Sequence, residues 1–193
     1  ITGDLPQLDI HLERTILHGI TGALMRSLVA TDSILAGEPA VEAGAAATFT
    51  RCTGLSSIAV RTVSATDCLF AATLSASTPQ QGCVRFSYLP TTTAVPRTFR
   101  CLTASDDVAV HLLGTAFDDD TPLFAGGPRL AAHFGRLAPT CDPRLRTGAE
   151  DGGELGAFHS AMHTPHRQNL CAVLDAHTRL GMRAGVFDGT IRS

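Results

Sequence analysis

The chain has no lysine, no tryptophan and one tyrosine, and aromatic residues make up 5% of its 193 residues. The net charge is −3 and there is no basic run, which argues against nucleic acid as the main partner. The scarcity of aromatic rings removes the usual stacking platforms for sugars. No apolar run is long enough to span a bilayer, so we predict a soluble protein without a membrane partner.

The sequence also lacks the spacings typical of metal sites. Its six cysteines are 16, 15, 18, 40 and 30 residues apart, with no Cys-x-x-Cys pair. His159, His163 and His166 have helical spacing, but Pro165 starts a new helix between the last two and argues against a site. Residues 118–120 are three aspartates without the alternation of a calcium loop, and we interpret them as a solvated turn. No metal or cofactor is therefore expected.

A short motif recurs through the first part of the chain. Aligned on Thr15, Ser33, Cys52 and Cys68, its four copies are 18, 19 and 16 residues apart. Alternating apolar residues precede each of these anchors, and a second apolar group follows. Glycines predict a bend after that group: Gly19, Gly37 and Gly54. The period is too short for a crossover helix and predicts a parallel β-helix, whose coils pair at about 4.8 Å.

The alignment also predicts which residues stack. The apolar pairs would face the interior: Ile10 and Leu12, Leu28 and Ala30, Ala47 and Phe49, Val63 and Ala65. The residues before the anchors are Arg14, Asp32, Arg51 and Asp67, so opposite charges would alternate along one edge. An exposed ion pair contributes at most about 1 kcal/mol, so this series would specify register more than it stabilises.

A fifth coil is predicted from about Leu74 to Tyr88, and the period is then lost. A Pro/Thr loop follows, and residues 97–101 predict a short strand that returns as a hairpin. Folded about Thr92, this hairpin would bring Cys83 opposite Cys101. These two cysteines are then either bridged, in an oxidising compartment, or two free thiols.

The end of the chain predicts a helix over about residues 165–184. Thr164 suits the N-cap, Pro165 the first helical position and Gly185 the C-terminal cap. Apolar residues recur at helical spacing and would cover the flank or open end of the coils. We therefore predict β-helix coils over residues 1–88, and a hairpin, an irregular segment and a C-terminal capping helix over residues 89–193.

Two segments resemble signatures of a bacterial family. The first is Gln81-Gly82-Cys83-Val84-Arg85-Phe86-Ser87-Tyr88, followed by Pro96-Arg97 and Phe99-Arg100-Cys101. The second is Gly148-Ala149-Glu150-Asp151-Gly152-Gly153-Glu154-Leu155-Gly156-Ala157-Phe158-His159, which continues in a similar way to Phe187. Both are similar to segments of largely uncharacterised bacterial proteins predicted to carry a right-handed parallel β-helix.

The resemblance implies a mainly β fold with right-handed coils and supplies no catalytic residues. Such proteins are often encoded near phage-tail-like or contractile-injection genes, which implies a particle assembled in the cytoplasm and released. Members tend to be longer on the N-terminal side. We therefore expect the first coil to be covered by residues 1–7, by further N-terminal sequence or by another subunit.

Parallel β-helices also include enzymes that cleave polysaccharides with paired carboxylates. Asp32 and Asp67 would lie two coils apart, roughly 10 Å. Arg51, between them, would hold both ionised, which is the wrong state for a general acid. No residue is assigned a catalytic, cofactor-binding or metal-binding role.

The sequence therefore favours a non-enzymatic structural or interaction protein, a rigid β-helix scaffold in a larger, phage-tail-like assembly. Its expected partners are other proteins or further copies of itself. The alternative is a carbohydrate-active hydrolase or lyase, and carbohydrate stays a candidate ligand. The partner, the oligomeric state and the cellular compartment are left open.

Overall fold

A computed structural model describes residues 8–22, 25–90, 94–113, 134–161, 169–170, 172–174, 176–178 and 182. The chain divides into two compact units, residues 1–160 and 161–193. The strands of the first unit are, in chain order, β1 (Leu8–Glu13), β2 (Ile16–Gly22), β3 (Met25–Thr31), β4 (Ile34–Ala43), β5 (Ala46–Thr50), β6 (Thr53–Gly54), β7 (Ile58–Val60), β8 (Thr62–Thr66), β9 (Leu69–Phe70), β10 (Leu74–Ala76), β11 (Gly82–Arg85), β12 (Tyr88–Leu89), β13 (Arg97–Phe99), β14 (Leu102–Thr103), β15 (Leu112–Leu113) and β16 (Arg136–Leu137).

Strands β1 to β14 wind into a three-sided parallel β-helix, which confirms the predicted fold. Face 1 is a six-stranded sheet in the order β1-β3-β5-β8-β11-β13. The second sheet bends within β4, which pairs with β6 through Ile34 and Leu35 and with β7 through Val41. Strands β6, β9, β12 and β14 therefore belong to face 2, and β7 and β10 to face 3. The register of β2 against β4 shifts at Gly19, one of the predicted bends.

The predicted stacking register of face 1 is also confirmed. Its inward columns are Ile10–Leu28–Ala47–Val63 and Leu12–Ala30–Phe49–Ala65–Val84. Phe49, which is fully buried, lies between Ala30 and Ala65, so a large side chain fills the space left by two small ones. The ring of Phe49 meets Phe70 of face 2 edge-on, with ring centroids 6.0 Å apart. The interior is thus closely packed across two faces.

The predicted hairpin at residues 97–101 is wrong. β13 pairs with β11 in parallel, with Cys83 opposite Arg97, so it begins a further coil that β14 continues. The backbone N–H of Ala76 donates to the carbonyl of Ala94 at 2.7 Å, so the chain here runs beside face 3 instead of turning back. The coils extend to Thr103, beyond the predicted limit at residue 88. Cys83 and Cys101 are free thiols.

Residues 104–113 and 134–160 include the layer that covers the outer side of face 2. β15 and β16 pair antiparallel, α1 (Pro143–Arg146) is capped by Asp142, and short 3₁₀ helices form at Ala104–Asp106 and His159–Ala161. One apolar cluster joins the layer to face 2: Leu69, Tyr88, Val108, Leu137, Cys141, Leu145, Ala149 and Leu155.

In the second unit, residues 169–170, 172–174 and 176–177 are helical, within the helix predicted over 165–184. Leu170, Val173 and Met182 are exposed. The predicted caps at Thr164, Pro165 and Gly185 lie outside the described residues, and the capping role of this helix stays a prediction.

Among the described parts of the chain, no helix is both long and apolar enough to cross a membrane.

Candidate functional site

Each coil turns from face 1 to face 2 at a residue with left-handed backbone geometry. These residues form the corner column: Arg14, Asp32, Arg51, Asp67, Phe86 and Arg100. Their φ angles lie between 46° at Phe86 and 56° at Asp67, in a region that costs a non-glycine residue about 1–2 kcal/mol. Inter-coil hydrogen bonds run through the corner and offset this cost, as from Arg51 N–H to the Thr66 carbonyl at 2.9 Å.

The next residue in each coil forms the anchor column: Thr15, Ser33, Cys52, Cys68, Ser87 and Cys101. The Ser33 hydroxyl donates to the Thr31 carbonyl at 2.7 Å and accepts from the Thr15 N–H at 3.1 Å. The Ser87 hydroxyl accepts from the Cys68 N–H at 3.1 Å in the same way. Burial raises the pKa of the Cys68 thiol well above its ordinary value, so the thiol keeps its proton. An anchor is therefore a small side chain that both donates and accepts a hydrogen bond.

We expect Ser87→Ala to lower the free energy of unfolding by about 1–3 kcal/mol, because the buried N–H of Cys68 loses its acceptor. Ser87→Cys is the matched control, since Cys68 Sγ accepts from the Cys52 N–H at 3.4 Å in the coil before. Urea unfolding of both variants measures the difference. Equal stability of the alanine and cysteine variants would contradict the proposed role of the anchors.

The predicted alternation of charge along the corner column is present. Arg51 Nε lies 2.6 Å from Asp32 Oδ1, and the Asp32 side chain is 8% exposed. Burial raises the pKa of Asp32, but the hydrogen bond and the charge of Arg51 outweigh burial and lower it overall. Asp67, one coil further on, adds to the negative field at the Arg51 guanidinium. Asp32 is therefore held in its ionised form.

Residues 148–160 close over the middle of the corner column, and we call them the covering loop. Asp67 Oδ1 accepts a hydrogen bond from the Glu150 N–H at 2.8 Å, and the Asp67 carbonyl accepts from the Gly156 N–H at 2.9 Å. The Ala157 N–H donates to Thr53 Oγ1 at 2.9 Å. Asp67, nearly fully buried, thus joins the loop to the coils with both its side chain and its backbone.

Two further contacts fix the end of the covering loop. Gly156 has φ +96°, and a Cβ there would lie 2.5 Å from Thr53 Oγ1, so only glycine allows this approach. Ser160 donates its hydroxyl to Asp32 Oδ1 at 3.3 Å. Asp32 and Asp67, the carboxylates singled out from the sequence, therefore both bind the covering loop.

The covering loop also contains three titratable groups close together. His159 Nε2 lies 3.0 Å from Asp151 Oδ2, and its Nδ1 lies 2.8 Å from the Glu154 carbonyl oxygen. A hydrogen bond from the Gly153 N–H is the main cause of the lowered pKa of Asp151, with His159 contributing. Burial raises the pKa of Glu154 to about 7, against the attraction of Arg136, Arg146 and His159. Both nitrogens of His159 are occupied in holding the loop.

A second surface lies at the last coil, and we call it the arginine–phenylalanine patch: Arg85, Phe86, Arg97, Phe99 and Arg100. The rings of Phe86 and Phe99 meet edge-to-face with centroids 5.7 Å apart. The Arg100 guanidinium carbon lies 5.9 Å from the Phe86 centroid and 5.5 Å from the Phe99 centroid. Phe99 is 53% exposed, and the patch holds three positive charges on a chain of net charge −3.

The sequence predicted the first four residues of the corner column but missed the patch. Continuing the same count to Phe86 and Arg100 would have found it, because Ser87 and Cys101 follow them as anchors. His163, His166 and the aspartates 118–120 lie outside the described residues. Within the described ranges, no group of three histidine, cysteine or acidic residues could hold a metal ion.

Comparisons of the chain with protein-family models, curated proteins and solved structures found no match.

Proposed function

We propose that this protein is a non-enzymatic structural or interaction protein, with the β-helix as a rigid scaffold in a larger assembly. The observation that carries the proposal is that Asp32 and Asp67 are both engaged in contacts that hold the fold together. Arg51 holds Asp32 ionised, and Asp67 accepts the Glu150 N–H of the covering loop. Glycosidic cleavage needs one carboxyl group that is protonated and free to reach the leaving oxygen, and neither aspartate offers that.

The exposed patch supports the same proposal. Arginine and aromatic residues are enriched at protein interfaces, where they supply a large share of the binding energy. Phe99 is half exposed beside three arginines at the end of a stiff stack of coils. The wider setting, a phage-tail-like particle, follows from the family resemblance alone and is the broadest part of the proposal.

Association is the direct test of the scaffold role. We expect light scattering over a range of protein concentrations to show a mass that grows with concentration, since a scaffold built into an assembly needs contacts between subunits. A protein that stays strictly monomeric at every concentration would count against self-assembly and would weaken the proposal.

The enzymatic alternative is tested with a screen of neutral and acidic polysaccharides for depolymerisation. We expect no turnover by the native chain. Any turnover would be retested with Asp32→Asn and Asp67→Asn, and with Glu13→Gln as the control for an exposed carboxylate on the first coil. Circular dichroism would first establish that the variants fold. If turnover is then lost in either aspartate variant and kept in the control, the protein is a carbohydrate-active enzyme and our proposal is wrong.

A further inference from the structure

The last strand of face 1, β13, is an edge strand among the residues that the structure describes. β13 pairs with β11 on one side, and no strand in the described parts of the chain pairs with its other side. All three residues of β13 are exposed, including Thr98, which lies opposite the buried Val84. With respect to the described residues, this side of β13 therefore offers unpaired backbone groups.

Positive charge lies directly beside this edge. Arg97 and Phe99 share the outward side of β13, about 6.6 Å apart along the strand. Arg85 of β11 is the register partner of Phe99. Arg85 donates from Nε to Thr66 Oγ1 at 3.1 Å, whereas Arg97 has no hydrogen bond or ion pair within the described ranges. A strand added to β13 would place its outward side chains about 4.8 Å from Arg97 and Phe99.

We propose that this edge binds an extended acidic peptide of a partner protein as an added strand of face 1. Its backbone pairs with β13, its acidic side chains meet Arg97, and its alternate, small apolar side chains lie beside Thr98 on the interior side. This inference rests on the proposed interaction function and names the chemistry of the partner.

The patch favours a peptide over single-stranded nucleic acid. Nucleic-acid bases would need free aromatic faces for stacking. Here the Arg100 guanidinium lies over both phenylalanine rings, 5.5 Å from the Phe99 centroid and 5.9 Å from the Phe86 centroid. The unpaired edge of a strand, in contrast, is complementary to another polypeptide backbone.

The test measures fluorescence anisotropy of labelled peptides with the full chain. The probe is a peptide of about eight residues that alternates glutamate and valine, a length that matches a typical strand. One control has lysine in place of glutamate, and another has N-methyl groups that block backbone pairing. We expect the glutamate peptide to bind, and both controls to bind at least about tenfold more weakly, because they lose charge or backbone contacts.

Protein variants locate the site. We expect Arg97→Glu to weaken binding at least about tenfold through charge reversal. Arg61→Glu is the matched control, because Arg61 is an exposed arginine just before β8, which β11 separates from β13, and it should leave binding unchanged. If Arg97→Glu does not fold, Arg97→Ala takes its place.

Three results would overturn the inference. They are no binding of the glutamate peptide, equal binding of its N-methylated form, and an oligothymidylate that binds more tightly than the peptide and depends on Arg97. The last would make the patch a nucleic-acid surface. Each outcome is independent of the light-scattering test, so a failure here is distinguishable from a failure of the scaffold proposal.

Discussion

Gly82→Ala is expected to lower the free energy of unfolding by about 3 kcal/mol or more, since backbone strain and a steric clash add at one position. Gly82 has φ +100° at the start of β11, and a Cβ there would overlap the carbonyl oxygen of Val63, its register partner in β8. The clash is with backbone, so it cannot be relieved without separating two coils. Urea unfolding measures the loss.

Two other glycines separate the two causes. Gly152 has φ +81° with nothing within 4 Å of a Cβ, so Gly152→Ala reports strain alone, about 1 kcal/mol. At Gly44 nothing lies within 4 Å of a Cβ, and the backbone is not in the left-handed region. Gly44→Ala should therefore change the free energy of unfolding by less than about 0.5 kcal/mol. The expected order of loss is Gly82, then Gly152, then Gly44. An alanine at position 82 that costs no more than one at position 152 would contradict the close approach of β8 and β11.

The free energy of unfolding should fall between about pH 5 and pH 8 because of Glu154, and Glu154→Gln should abolish this fall. Burial raises the pKa of Glu154 from 4.5 to about 7. Between these values the folded state binds more protons than the unfolded state, so stability decreases as pH rises. The difference amounts to up to about 3 kcal/mol.

The groups that face Glu154 are Arg136, Arg146 and His159, and their attraction is too weak to outweigh burial of the carboxyl. Glutamine keeps the shape of the protonated side chain and adds no charge. Unfolding free energies of the native chain and of Glu154→Gln across this pH range are the measurement, with the exposed Glu150→Gln as the control. If the unfolding free energy of the native chain and that of Glu154→Gln change with pH in the same way, Glu154 is not the cause of the fall in stability.

Local pattern was sufficient to predict face 1. The alternation before each anchor fixes which side chains point inward, and the spacing of the anchors fixes which of them stack. The column that contains Phe49 between Ala30 and Ala65 follows from these two facts alone. The same count predicted the pairing of Asp32 with Arg51.

The last coil and the covering loop could not be predicted in this way. Prolines on both sides of Ala94 indicate a turn, yet Ala94 accepts a hydrogen bond from Ala76 and the chain continues its coil. The covering loop reaches the coils through contacts such as Glu150 to Asp67, 83 residues apart. Contacts of this kind leave no period in the sequence, so the sequence does not predict the burial of Asp67 and Glu154.

The anchor column has a direction, which makes the two ends of the stack chemically different. The hydrogen bonds between neighbouring anchors all run in one sense: Ser33 accepts from the Thr15 N–H, Cys68 from the Cys52 N–H and Ser87 from the Cys68 N–H. At the first described coil the column therefore ends in an acceptor, the Thr15 hydroxyl, and at the last in a donor, the backbone N–H of Cys101. Polarity of this kind permits extension in a single sense, head to tail, and opposes joining two like ends.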